Sequence, residues 1–181
     1  MKGLVFAEFL DMVSTSYSPD VVEDILDDCD LQSGGAYTSV GTYDHQEMHA
    51  LITALSDRVG VPGQDLTVAF GQHLFGVFLA KYPEFFVGVD SAPEFLSLVD
   101  GYVHLEVQKL YPDAELPSFE CVQVDPDTMT MTYRSSRGFE DLAAGLLERF
   151  PRIDAATIEL RKFILPGTRD VSVRIRRERA L

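Results

Sequence analysis

Apolar positions along the first sixteen residues are too frequent for a surface helix. In GLVFAEFLDMVSTS, residues 3–16, they form two adjoining stripes, Val5, Phe9 and Met12 beside Phe6, Leu10 and Val13. A helix apolar on most sides is expected inside a protein, covering something. Ser18-Pro19-Asp20 then supplies an N-cap, a first-turn proline and an early acid, which predicts a second helix through about Asp28. Its inward positions are Val21, Val22, Ile25 and Leu26. Residues 32–43 are rich in Gly, Ser and Thr and read as a loop. Asp44 opens a third helix with Met48, Leu51, Ile52, Leu55 and Val59 at helical spacing, broken by Gly60-Val61-Pro62-Gly63. A fourth, over about 64–81, carries Leu66, Phe70, Leu74 and Phe78 on one stripe, with Val68 and Phe75 off it toward a second neighbour. Gly71 and Gly76 in this helix would let another element approach closely, at a cost in helix stability. A long helix over 92–110 follows the Tyr82-Pro83 break and a short aromatic turn, and stops at Pro112.

The period then changes from helical to two. Residues 118–124 and 128–135 alternate around Asp125-Pro126-Asp127, which predicts a β-hairpin. Met129, Met131, Tyr133, Ser135 and Arg137 share one side if the chain stays extended, and Thr128, Thr130 and Thr132 the other. Residues 139–150 return to helix, with Leu142, Leu146 and Phe150 inward. Two further strands, 156–164 and 170–177, close the chain. Helices followed by strands with one helix inserted define an α+β class.

Composition narrows the function classes. At 181 residues with 46% hydrophobic content, one domain with a sizeable core is expected. The net charge of −14 disfavours nucleic acid and anionic membrane surfaces as partners. It is unevenly spread. Residues 1–60 hold two basic and eleven acidic residues, net −9, whereas 161–181 hold seven basic and two acidic, net +5. No apolar run is long enough to cross a bilayer, and Glu8 and Asp11 interrupt any signal-peptide pattern, so a cytoplasmic protein is expected. Cys29 lies among Asp27, Asp28 and Asp30, whose charge opposes a thiolate, and Cys121 reads as a buried small hydrophobe.

Four histidines are the candidates for chemistry. His45 and His49 are four apart, but Gln46 follows the first, where a metalloprotease motif needs Glu. A solvated helix face is the plainer reading. His73, beside Leu74, reads as a satisfied or partly exposed histidine. His104 breaks the apolar pattern of its helix, yet a lone histidine there is usually structural. The alternating Tyr133, Ser135 and Arg137 put two hydroxyls and a guanidinium along one edge, a set able to clamp carboxylates. Haem carries two carboxylates on an apolar body, and one histidine can hold its iron. Taken by itself the triplet reads as a strand end with an exposed arginine.

MKGLVF at the start, AFGQHLF in the fourth helix, VHLEVQKLYP around His104 and Tyr-x-Ser-x-Arg at 133–137 together resemble the haem nitric oxide/oxygen binding (H-NOX) family, related to the haem domain of soluble guanylate cyclase. The interval of 133 − 104 = 29 residues agrees with the family pattern, and the resemblance spans nearly the whole chain. It implies a helical N-terminal lobe (1–62) on a C-terminal lobe (63–181) of helices and a four-stranded antiparallel sheet, with haem b between them. It implies His104 as axial iron ligand, Tyr133, Ser135 and Arg137 as the propionate clamp, and Pro117 as the residue that distorts the porphyrin. Val5, Leu74, Phe78, Leu142 and Leu146 would then wall the distal pocket, unless a shift of register brings His73 into it. Oxygen-binding relatives place a tyrosine where Leu142 stands, so the apolar wall points to nitric oxide and CO over oxygen. The implied mechanism is a switch and not catalysis. Nitric oxide weakens the trans iron–histidine bond, and His104 and its helix shift one lobe against the other. A stand-alone bacterial domain would pass this to a separate histidine kinase or cyclic-di-GMP enzyme, with the acidic N-terminal lobe as docking face. The competing expectations are an oxygen-binding or redox haem protein and a non-haem interaction module with a structural His104.

Overall fold

The computed structural model describes residues 1–89, 104–110, 112, 116–125, 128–135 and 137–149, together with the backbone pairing of strands 157–164 and 171–178. The first part of the expected 92–110 helix, the Pro126-Asp127 turn, Phe150 and the Cys121 side chain lie outside the described residues. The elements run α1 (Gly3–Ser16), α2 (Pro19–Asp27), α3 (His45–Val59), α4 (Gly63–Lys81), a 3-10 turn (Pro83–Phe86), α5 (His104–Leu110), β1 (Ser118–Asp125), β2 (Thr128–Arg134), α6 (Glu140–Arg149), β3 (Thr157–Ile164) and β4 (Val171–Glu178). The class is α+β, helices followed by a small antiparallel sheet.

Local signals explain the helix starts. Ser18 Oγ accepts from the Val21 amide at 3.3 Å, and Asp44 Oδ1 accepts from the Gln46 amide at 2.9 Å, each satisfying a donor that the first turn leaves open. The sheet order is β1-β2-β4-β3 with every pair antiparallel. Helix α6 carries the chain from β2 across to the far edge, and β4 returns between β3 and β2. Met131, at the centre of β2, is fully buried.

One core runs through the four N-terminal helices. Phe6, Phe9, Met12 and Val13 of α1 pack with Ile25, with Met48, Leu51, Ile52 and Leu55 of α3, and with Leu66, Phe70 and Leu74 of α4. The Phe9 and Phe70 rings meet edge to face at 5.1 Å, the arrangement favoured by the aromatic quadrupole. The loop before α3 is held by a buried carboxylate. Glu47 accepts from the Ser33 amide at 3.2 Å and from the Tyr37 hydroxyl at 2.7 Å. A carboxyl group at such depth is tolerated because its oxygens are hydrogen-bonded.

Helices α4 and α6 touch backbone to backbone. A Cβ on Gly71 would lie 2.2 Å from the Leu142 carbonyl oxygen, and one on Gly145 would lie 2.1 Å from that of Val68. Only two glycines facing each other permit this distance. Gly76 does not share that role: it is exposed with nothing within 4 Å of its Cβ position. Five residues along a helix rotates it away from the face that carries Gly71. Phe75 meets the second neighbour expected for it, packing on Phe86, Val89 and Leu146.

Candidate functional site

Strand β2 ends at Arg134, and the candidate clamp straddles that end, with Tyr133 on the strand and Ser135 and Arg137 just after it. Tyr133 is 5% exposed, and burial pushes its phenol above the usual tyrosine range; contacts with Ser135, Glu140, Arg137 and the Phe139 backbone act less strongly. The phenol therefore stays protonated and able to donate at neutral pH. Ser135 is half-buried, and its Oγ accepts from the Arg137 amide at 3.2 Å, bending the chain out of the strand. Arg137 is half-buried too. The extended alternation expected through Arg137 thus holds to Tyr133 and gives way to a turn.

Phe119 joins this edge to His104. Phe119 and Tyr133 are cross-strand partners with ring centroids 5.5 Å apart, and the half-buried His104 ring lies 5.4 Å from Phe119. One ring therefore separates the candidate iron ligand from the candidate clamp, although 29 residues of chain divide them (133 − 104 = 29). Pro117 is half-buried two residues before Phe119, at the mouth of β1.

The apolar wall gathers in the same core cluster. Leu74 is buried, and Val5, Phe78, Leu142 and Leu146 pack partly buried against that cluster. On α6 the buried positions are Ala143, Gly145 and Leu147, a wider face than the expected 142–146–150 stripe, because α4 lies directly over Gly145. His73 is elsewhere. Its Nε2 lies 3.6 Å from Oε2 of Glu8 on α1.

His49 is the residue that sequence reasoning misjudged. Its ring stacks on Phe139 at 4.3 Å with an interplanar angle of 9°, and its Nε2 donates to the Arg137 carbonyl at 2.8 Å. It is no solvated face residue but a peg from α3 into the loop that presents the clamp. No local signal marks a partner 88 residues away. Replacing His49 by alanine removes the stack and strands a carbonyl, an expected loss of about 2 kcal/mol in urea unfolding. His49→Phe, which keeps the stack and loses only the hydrogen bond, should recover roughly half of that.

A sequence model of the haem-NO-binding family matches residues 2–160. Solved structures agree over the full length. The unliganded Fe(II) H-NOX protein of K. algicida is 33% identical, covers 100% of this chain and 98% of its own, and superposes with a TM-score of 0.93. The H-NOX protein of Shewanella woodyi, solved in its Fe(II)CO state with IWP-051 bound, is 33% identical over 98% of this chain and 95% of its own, TM-score 0.83. That of S. oneidensis in its Fe(II)NO state covers 99% of this chain and 100% of its own with a TM-score of 0.89; at 24% identity it speaks for the fold alone.

Proposed function

The chain belongs to the haem-NO-binding family of haem-binding gas-sensor domains, and we propose that it holds haem b on His104 and reports nitric oxide. The observation that carries this reading is the His104–Phe119–Tyr133 sequence of rings, which sets an imidazole and a protonated buried phenol on one patch. The donor set suits haem. A neutral imidazole nitrogen is a standard iron ligand, and a phenol, a hydroxyl and a guanidinium together can hydrogen-bond two propionates. Val5, Leu74, Phe78, Leu142 and Leu146 supply the apolar surface that a porphyrin face requires. Pro117, stiff just before β1, would press on the macrocycle.

When bound, haem supplies the iron site at which a diatomic gas coordinates. The chain's own residues decide the rest. Tyr133, Ser135 and Arg137 orient the cofactor, and the leucine and phenylalanine side chains keep water out. Leu142 offers no hydrogen-bond donor, so a polar bound oxygen gains little here. The reduced, haem-loaded protein exposed to air is expected to show no lasting oxygen-bound spectrum, while NO and CO each shift the Soret band. A persistent oxygen-bound spectrum would overturn the gas assignment, and absence of any Soret band in cells supplied with haem would overturn the haem reading. Leu142→Tyr, which restores a hydroxyl, should lengthen the lifetime of the oxygen-bound form.

His104 would hold the iron from α5, and the His49–Arg137 bond ties the candidate clamp loop to α3, so a displacement of that loop would reach the N-terminal helices. That is a two-state element biased by a ligand, with residues 1–62 moving against 63–181. The signal would pass in the cytoplasm to a separate protein, a histidine kinase or a cyclic-di-GMP enzyme. Among the described residues no helix is long and apolar enough to cross a membrane.

A further inference from the structure

Away from the haem patch, α1 and α4 bring three potential metal ligands together. Glu8, Asp11 and His73 each offer one donor atom, all within 4.8 Å of one another. Glu8 and Asp11 are three apart on α1 and so share a face, and His73 approaches from α4. Two features point to a ligand beyond the geometry. The His73 Nε2 is buried and has no hydrogen-bond partner. Its distance to Glu8 Oε2 is 3.6 Å, outside hydrogen-bond range. Two donors on a tetrahedral zinc at ~2.0–2.1 Å bonds stand about 3.4 Å apart, close to that separation.

The surroundings favour a cation. Lys81 Nζ donates to Glu8 Oε1 at 2.5 Å, which holds the carboxylate in place and leaves Oε2 turned toward His73. The Glu8 side chain is 13% exposed, so its oxygens face little competition from water. Asp11 is exposed and can turn its carboxylate the short distance needed. The acidic first sixty residues raise the local concentration of any divalent ion.

We propose that Glu8, Asp11 and His73 form a second metal site, independent of haem, that binds a zinc-class divalent ion with water at the fourth position. One nitrogen and two oxygen donors suit Zn²⁺ better than Ca²⁺ or Mg²⁺, which prefer all-oxygen shells. Occupancy staples α1 to α4 outside the apolar wall. Its failure would leave the gas-sensing proposal untouched, because no residue is shared.

The test is isothermal titration of the chelator-treated full-length protein with Zn²⁺ alone, alongside His73→Ala, Asp11→Asn and His45→Ala. Wild type and His45→Ala should each bind one equivalent with equal affinity, and His73→Ala and Asp11→Asn should bind at least ~tenfold more weakly. Asp11 is exposed, so Asp11→Asn keeps the assay meaningful even if His73→Ala fails to fold. Absence of a stoichiometric site in wild type, or affinity unchanged in both Asp11→Asn and a folded His73→Ala, overturns the proposal. Either result would leave His73 and Glu8 as a histidine–carboxylate contact.

Discussion

His104→Gly is expected to emerge from purification with little haem, and free imidazole added to the medium should restore both haem content and the ferrous Soret band. The variant removes one axial nitrogen and leaves a ring-sized space beside Phe119, which a free imidazole can enter. Folding should survive. Glycine in a helix costs about 1 kcal/mol, small against the roughly 5–15 kcal/mol that holds a domain together. The half-buried imidazole adds only modest packing. Loss of haem without loss of the far-UV helical signal would therefore separate ligation from structure. A His104→Gly protein with the wild-type ferrous spectrum in the absence of imidazole would show that another residue holds the iron.

The largest effect on stability is expected at the α4–α6 crossing. Gly145→Val would place branched carbons where the Val68 carbonyl oxygen already lies 2.1 Å from a bare Cβ position and the Gly71 Cα 3.0 Å from it. Both neighbours are backbone, so neither can swing aside as a side chain would. Helix separation is the only relief, and it opens the wall that Leu74, Leu142 and Leu146 share. Overpacking of this kind costs about 3 kcal/mol or more. For a chain of this size that lowers Tm by roughly 6–12 °C. Gly145→Ala should move the same way by a smaller step. Thermal unfolding of the haem-free chain measures the effect without a contribution from cofactor binding, and a Tm within 2 °C of wild type, an interval set by about 1 kcal/mol, would contradict it.

The elements were legible because each is specified locally. Ser18 and Asp44 announce their helices through side chains that reach only two or three residues, and the alternation of 128–134 matches the burial of Met131 and Tyr133 on one face of β2. The candidate clamp and the candidate ligand were read as a set for a different reason: their residue types and interval match a family pattern, and neither the helix nor the triplet alone would have pointed to haem.

His49 and Gly76 mark where that reading ran short, and Glu47 is a position it did not single out. His49 looks solvated from its helix alone because Phe139 and Arg137 arrive from the far side of the sheet connection. Gly71 and Gly76 look equivalent in sequence, and only the direction of the α6 crossing distinguishes them. Glu47 looks like an ordinary first-turn acid, yet the loop folds over it and supplies its donors. By itself the sequence indicated most of the described helix and strand segments, the α+β class and the residue types of the candidate site, because periodicity, capping and motif spacing are properties of neighbouring positions. Tertiary structure alone decided which histidine faces Phe119, which supports the clamp loop and which turns toward Glu8, because burial and partnership are set by residues that meet across long stretches of chain.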